Sequence, residues 1–159
     1  MKRPTYVTDK ALKQFIKSAL EEDIQSGDHS TLSTIPSDLM QSAKLLVKED
    51  CILAGVELAE IIFKTFDKNL KIEVFIKDGE NAKVGDIAFI VTGKAQSILS
   101  TERLVLNCMQ RMSGIATLTH DWDSRLIGTK TKLLDTRKTT PNFRICEKWA
   151  VSIGGGTNH

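Results

Sequence analysis

Residues 132–159 read KLLDTRKTTPNFRICEKWAVSIGGGTNH, and this stretch decides the fold. Lys132 to Thr136, apolar at Leu133 and Leu134, predicts a short strand. Pro141 suits a first helical turn, so Asn142 to about Ser152 predicts a helix, which Gly154, Gly155 and Gly156 end. A strand, a helix and a glycine loop in that order begin an α/β unit with parallel strands, because a parallel return needs a crossover connection. Ligands in such units gather beyond the carboxyl ends of the strands, which is where Asp135 to Thr140 falls. Charge is concentrated in the same place. Residues 133–159 hold Arg137, Lys138, Arg144 and Lys148 against Asp135 and Glu147, which accounts for the whole chain's net charge of +2.

Working outward, the segment from about Ser97 to Met112 carries Ile98, Leu99, Leu104, Val105, Leu106, Cys108 and Met109, enough to bury a central helix on several sides. Gly114 is expected to interrupt it, with a further helix over roughly Ala116–Leu126 leading to Gly128. Further upstream, Leu70, Ile72, Val74 and Ile76 alternate with charged residues, and Ile87 to Thr92 follows a turn-rich connection, which predicts an antiparallel pair. Ala43, Leu45 and Val47 alternate with Lys44 and Lys48 as another strand. Gly55 precedes a helix over Val56–Phe66. Thr8 caps a first helix whose buried face is Leu12, Phe15, Ile16, Ala19 and Leu20, with Gly27 as its terminator.

The composition fits a folded chain. Apolar residues make up 41% and charged residues 26% of 159 residues, too hydrophobic for a disordered sequence. No stretch approaches the roughly 18 apolar residues of a membrane span, and charges interrupt the start where a signal peptide needs an apolar run. A cytoplasmic location with no membrane partner is therefore expected. A net charge of +2 is too small for a general nucleic-acid binder. Cys51, Cys108 and Cys146 are odd in number and widely spaced, which favours free thiols over a thiolate metal site.

Several side chains can carry chemistry. Arg137 offers a planar fork and Lys138 a compact point charge for a carboxylate or phosphate, and Thr136, Thr139 and Thr140 add hydroxyl donors; the alternative is a solvated turn. Gly154–Gly156 presents backbone N–H groups either to an anion or to a tight turn after a helix, and His159 adds a donor or base near neutral pH. Arg103, Asn107 and Gln110 form a polar stripe on the central helix, either solvated or covered by a neighbouring subunit, where Arg103 would need an anionic partner. Glu21, Glu22, Asp23, Asp28 and His29 surround Gly27, a pattern better suited to turn and cap hydrogen bonds than to a metal.

Taken in order, these pieces resemble the quinolinate phosphoribosyltransferases. The resemblance runs through Glu22-Asp23, Gly27-Asp28 with Thr31, and Ala54-Gly55. It continues in Ser100–Arg103, Leu106-Asn107, Gln110–Thr117 and Leu134–Pro141. Its last blocks are Glu147-Lys148 with Ala150-Val151, and Gly154–Gly156 with Asn158-His159. It implies an N-terminal α/β sandwich over residues 1–110, followed over 111–159 by the incomplete start of an open α/β barrel of the type II phosphoribosyltransferase kind. The boundary falls within 97–115.

By the same resemblance, Thr136, Arg137, Lys138 and His159 bind quinolinate, Arg103 enters the pocket from the partner subunit of a homodimer or higher oligomer, and Lys138 and Arg103 are catalytic. The second substrate is phosphoribosyl pyrophosphate, accompanied by Mg2+. In the family, Asn-His is followed by an arginine and by later strands that complete both substrate sites. The chain is therefore expected to be an N-terminal portion, inactive by itself. The competing expectations are a stand-alone binding or assembly module, and a related phosphoribosyltransferase with another acceptor.

Overall fold

A computed structural model describes residues 3–159. In chain order the elements are α1 (Asp9–Ile24), α2 (His29–Thr34), β1 (Met40–Leu46), β2 (Cys51–Ile52) and α3 (Val56–Phe66). They continue with β3 (Lys71–Val74), β4 (Asn81–Ala82), β5 (Ile87–Lys94), α4 (Ala95–Ser124) and α5 (Arg144–Ile153).

Helix α1 starts as expected, with the Thr8 hydroxyl accepting from the Ala11 N–H at 3.2 Å, and it buries Leu12 and Ile16. Its terminator is not Gly27. The Gln25 N–H still reaches the Glu21 carbonyl, and Gln25 itself takes the left-handed turn at φ 42°. Asp28 then caps α2, accepting from the Thr31 N–H at 3.2 Å and the Thr31 hydroxyl at 2.5 Å. Of the acidic cluster only Asp28 makes cap contacts; Glu21 pairs with Lys17 at 3.8 Å and Asp23 with Arg103 at 2.6 Å.

The three-stranded sheet has the order β1-β5-β3, antiparallel throughout, with Ala43 opposite Val91 and Val74 opposite Phe89. A second, two-stranded pair joins β2 to β4. Alternation places Phe89 and Val91 in the core, where Phe89 meets Phe63 of α3 edge to face with centroids 5.9 Å apart. Helix α3 lacks a side-chain cap from its own Gly55. Asp78, from the turn before β4, supplies it by accepting from the Val56 and Glu57 N–H groups at 2.8 and 3.0 Å. Burial pushes the Asp78 carboxyl above its ordinary range despite those donors, so the cap is bought at a desolvation cost. Asp78→Ala is expected to remove about 2 kcal/mol of stability by leaving buried donors unpaired, read as a lower urea midpoint with an unchanged m-value.

Helix α4 runs 30 residues without a break, so the expected interruption at Gly114 does not occur. One helical glycine costs only about 1 kcal/mol, and its neighbours Met112, Ser113 and Ala116 are all buried. The helix also acts as a hydrogen-bonding edge. Ser113 Oγ accepts from Ala54 N at 3.0 Å and donates to Ala54 O at 3.1 Å, while Thr117 Oγ1 accepts from Ile52 N at 2.9 Å. Residues 110 and 111 lie inside this helix, and one hydrophobic cluster extends from Val7 to Ile153.

Two further expectations are corrected near the C-terminus. The strand over Lys132–Thr136 reduces to one parallel bridge, Leu134 to Thr157, with Asp135 N donating to Thr157 O at 3.0 Å and Thr157 N to Leu133 O at 2.8 Å. A ladder needs a neighbour of equal length, and among the described residues only Thr157 offers backbone groups there. Helix α5 begins at Arg144 because Asn142 adopts φ 62°, which a right-handed helix excludes. The glycine loop does end it. Gly154 and Gly156 have no room for a side chain: a Cβ on Gly154 would strike the Ala116 carbonyl oxygen, and one on Gly156 would lie 2.8 Å from Thr119 Cγ2. Their smallness lets α5 close against α4.

Candidate functional site

The loop between the Leu134 bridge and α5 is organised by two carboxylates. Asp135 is the first, with its side chain 2% exposed. It accepts from Lys148 Nζ at 2.5 Å and Asn158 Nδ2 at 2.8 Å on one oxygen, and from the His159 main-chain N–H at 2.7 Å on the other. Burial pushes its pKa up, but Lys148, the His159 N–H and Asn158 outweigh that, leaving the carboxyl below its ordinary range. The end of the bridge, the middle of α5 and the chain at His159 are thereby joined on one charge.

Glu147 is the second. Its Oε1 accepts from Arg111 Nε at 2.8 Å and Nη2 at 2.6 Å, and its Oε2 from Thr140 N at 3.0 Å. The same Arg111 donates to the Thr140 hydroxyl at 2.5 Å and lies over the Phe143 ring. Burial raises the Glu147 pKa and the Arg111 and Thr140 donors lower it by more, so this carboxyl also sits below its ordinary range. The pair anchors the loop to α4.

Between these anchors the chain turns sharply. Thr136 Oγ1 accepts from Lys138 N at 3.1 Å, and Arg144 braces the turn from below, donating to Thr139 Oγ1 at 2.9 Å and to the Arg137 carbonyl at 3.4 Å. Lys148 and Arg144 are thus occupied. The side chains of Arg137 and Lys138 are exposed and have no hydrogen bond or ion pair to any described residue. Because Glu147 is committed to Arg111 of α4, the loop is more cationic than its sequence balance suggests.

The structure therefore brings Thr136, Arg137, Lys138 and His159 to one rim, organised by Asp135. It does not bring Arg103 there. Within this chain Arg103 is 70% exposed on α4 and pairs with Asp23, at the end of α1, at 2.6 Å. Asn107 and Gln110 are exposed on the same helix. A cleft of about 850 Å³ opens between α1, α4 and the 140–145 turn, lined by Asp23, Asn107, Arg111, Thr140 and Arg144 among others. The glycine loop is not an anion cradle: the Gly154, Gly155 and Gly156 N–H groups donate to carbonyls of Ala150, Ser152 and Val151 in the last turn of α5.

Arg111, Glu147 and Asp135 had appeared in the sequence only as parts of motifs, without roles. The only local signal was that Glu147 stands four residues after Phe143, on the same side of α5, and its partner on α4 is 36 residues away. Burial raises all three thiols above their ordinary range. Cys108 and Cys146 are buried and free, and desolvation pushes Cys108 up to about 12 and Cys146 further still, whereas Cys51 is half-buried.

Comparison with known proteins shows what the chain is similar to. Two families match in succession: the quinolinate phosphoribosyl transferase N-terminal domain over residues 28–113 and its C-terminal domain over 115–159. A mitochondrial quinolinate phosphoribosyltransferase (decarboxylating) of Nicotiana tabacum is 46% identical over 98% of this chain, and a nicotinate-nucleotide pyrophosphorylase (carboxylating) of Mycobacterium leprae is 36% identical over 94%. The chain spans 43% of the first and 54% of the second. Among solved structures, NadC from Streptococcus pyogenes superposes with a TM-score of 0.91 at 37% identity, over 98% of this chain and 55% of that one. The nicotinate-nucleotide pyrophosphorylase of Francisella tularensis gives 0.89 at 34% identity, over 100% and 57%.

Proposed function

Because the chain belongs to the quinolinate phosphoribosyl transferase family, we propose that its protein transfers a phosphoribosyl group from phosphoribosyl pyrophosphate to quinolinate, with decarboxylation. The products are nicotinate mononucleotide, pyrophosphate and carbon dioxide. The carrying observation is the pair Arg137 and Lys138, presented on a braced turn with no ion-pair partner among the described residues. Two dissociated carboxylates on one small ring need such fixed cations, since unit charges 4 Å apart interact by about 4 kcal/mol at an effective dielectric of 20.

In this reading Arg137 and Lys138 hold the two carboxylates of quinolinate, with the Thr136 hydroxyl and His159 at the rim. Lys138 and Arg103 take the catalytic role of offsetting anionic charge while pyrophosphate leaves the ribose and the pyridine nitrogen bonds to C1. The C2 carboxylate then departs as carbon dioxide, its electron pair stays on C2 as an ylide stabilised by the adjacent pyridinium nitrogen, and C2 takes a proton from water. No nucleophilic side chain is needed, in keeping with the raised thiol pKa values. Magnesium accompanies phosphoribosyl pyrophosphate in the proposal. Among the described residues no three His, Cys, Asp or Glu side chains cluster to hold a metal ion.

Arg103 enters the site from the partner subunit of a homodimer or higher oligomer, which its exposed position on α4 permits. The cytosol is the proposed location. No described helix is long and apolar enough to cross a membrane, and the tobacco relative is named as mitochondrial.

The test is an assay of the protein expressed from its complete reading frame with phosphoribosyl pyrophosphate, Mg2+ and either quinolinate or nicotinate. Carbon dioxide release from quinolinate is expected; turnover of nicotinate alone overturns the assignment. Mixing Arg103→Ala with Lys138→Ala subunits is expected to restore part of the activity that each variant lacks, and no restoration overturns the shared site.

A further inference from the structure

We propose that Tyr6 is a positioning residue for the cationic site, holding Asn158 and, through it, Asp135 and the main chain at His159. The inference rests on the function proposed above. Tyr6 lies before α1, outside the residues matched by either family domain, and 152 positions from Asn158. Its hydroxyl nevertheless donates to Asn158 Oδ1 at 2.8 Å.

The sense of the Asn158 amide follows from its surroundings. Its Nδ2 donates to Asp135 Oδ2 at 2.8 Å and to the Lys148 carbonyl at 2.9 Å, both of which can only accept. A flipped amide would set an oxygen against two oxygens. With Nδ2 so committed, Oδ1 needs a donor on its other side, and Tyr6 supplies it. Burial first, and the negative charge of Asp135 second, push the Tyr6 phenol up to about 12, so it stays a donor throughout the neutral range.

The segment bearing Tyr6 is itself fixed. Val7 is buried and bonds back to the Pro4 carbonyl at 2.9 Å, and Arg3 pairs with Asp9 at 2.6 Å and with Glu57 of α3. A rigid strap from the N-terminal side thus ends on the group that sets the Asp135 oxygen facing Lys148, while the other Asp135 oxygen holds the His159 N–H. Loosening Asn158 frees the chain at His159 and lets Asp135 rotate. The base of the Arg137-Lys138 turn then loses its reference.

The experiment compares wild type, Tyr6→Phe, Asn158→Ala and the double variant in the protein expressed from its complete reading frame. Tyr6→Phe keeps the ring and removes only the hydroxyl. The expected result is a rise in KM for quinolinate of about 5-fold, the scale of one hydrogen bond. The turnover number and the KM for phosphoribosyl pyrophosphate should stay within about twofold of wild type, as loss of uniform substrate binding predicts. In the Asn158→Ala background Tyr6→Phe should add nothing. A Tyr6→Phe KM equal to that of wild type overturns the inference, as does an equal rise in both backgrounds. A wild type that does not turn over quinolinate overturns the functional reading, and this inference with it.

Discussion

Lys138→Ala is expected to lower kcat/KM for quinolinate by about 10²- to 10³-fold, the scale of removing one preorganised electrostatic contact to a developing charge. Melting temperature should not move, because the exposed Lys138 side chain makes no hydrogen bond or ion pair among the described residues: only its main-chain N–H is used, by Thr136. Exposed substitutions of this kind change stability by about 0.5 kcal/mol or less. Steady-state kinetics and a thermal melt on the same preparation check both halves. A large fall in melting temperature would show that Lys138 is structural, and an unchanged kcat/KM would remove it from the site. Lys138→Arg should recover activity only partly, since a planar fork does not reproduce a compact ammonium. Arg144→Ala offers a contrast. It leaves both free cations in place but removes the brace under the turn, so its effect should be smaller and should fall mainly on KM.

Asp135→Asn carries the other large effect, and it falls on stability and activity together. The substitution leaves Lys148, 13% exposed, without its counter-charge, and breaking one side of a buried pair costs about 3 kcal/mol. It also replaces one of two accepting oxygens by an amide NH2, which must face a donor on either side: the Lys148 ammonium and Asn158 amide, or the His159 N–H. Denaturant unfolding should show the loss directly. Activity should fall by about 10²-fold in kcat/KM, because the Arg137-Lys138 turn and His159 are both referred to this carboxylate.

The pH dependence follows from the same group. The Asp135 pKa is depressed in the folded protein, so its contribution to stability is complete above the unfolded value of 3.8 and is lost as pH falls through the lower folded value. Glu147 behaves in the same sense from its ordinary 4.5. Asp78 works in the opposite direction, since its folded pKa is raised and ionising it weakens the folded state. Acid unfolding should therefore lose one component of its steepness in Asp135→Asn.

Much of the architecture could be read from residue order. The amphipathic period of α1, the alternation in β3 and β5, the Gly55 start of α3 and the apolar density of α4 are local patterns, and the structure reproduces them. Local reading failed where a neighbour decided the outcome. Gly114 has the chemistry of a breaker, yet buried residues on both sides carry the helix through it. Leu133 and Leu134 have the chemistry of a strand, but the pairing available is a single bridge.

What the sequence by itself determined is the concentration of positive charge over residues 133–159, its place after a strand-like segment, and the motif order that identifies the family. Charge and spacing are properties of the chain, so they survive without knowledge of the fold. Only the tertiary structure decided which cations remain free. Lys148 is neutralised by Asp135, Glu147 is drawn away by Arg111 from another helix, and Arg137 and Lys138 are left to meet solvent or substrate. Ion pairing depends on distance in space, and those distances join residues up to 36 positions apart in the chain.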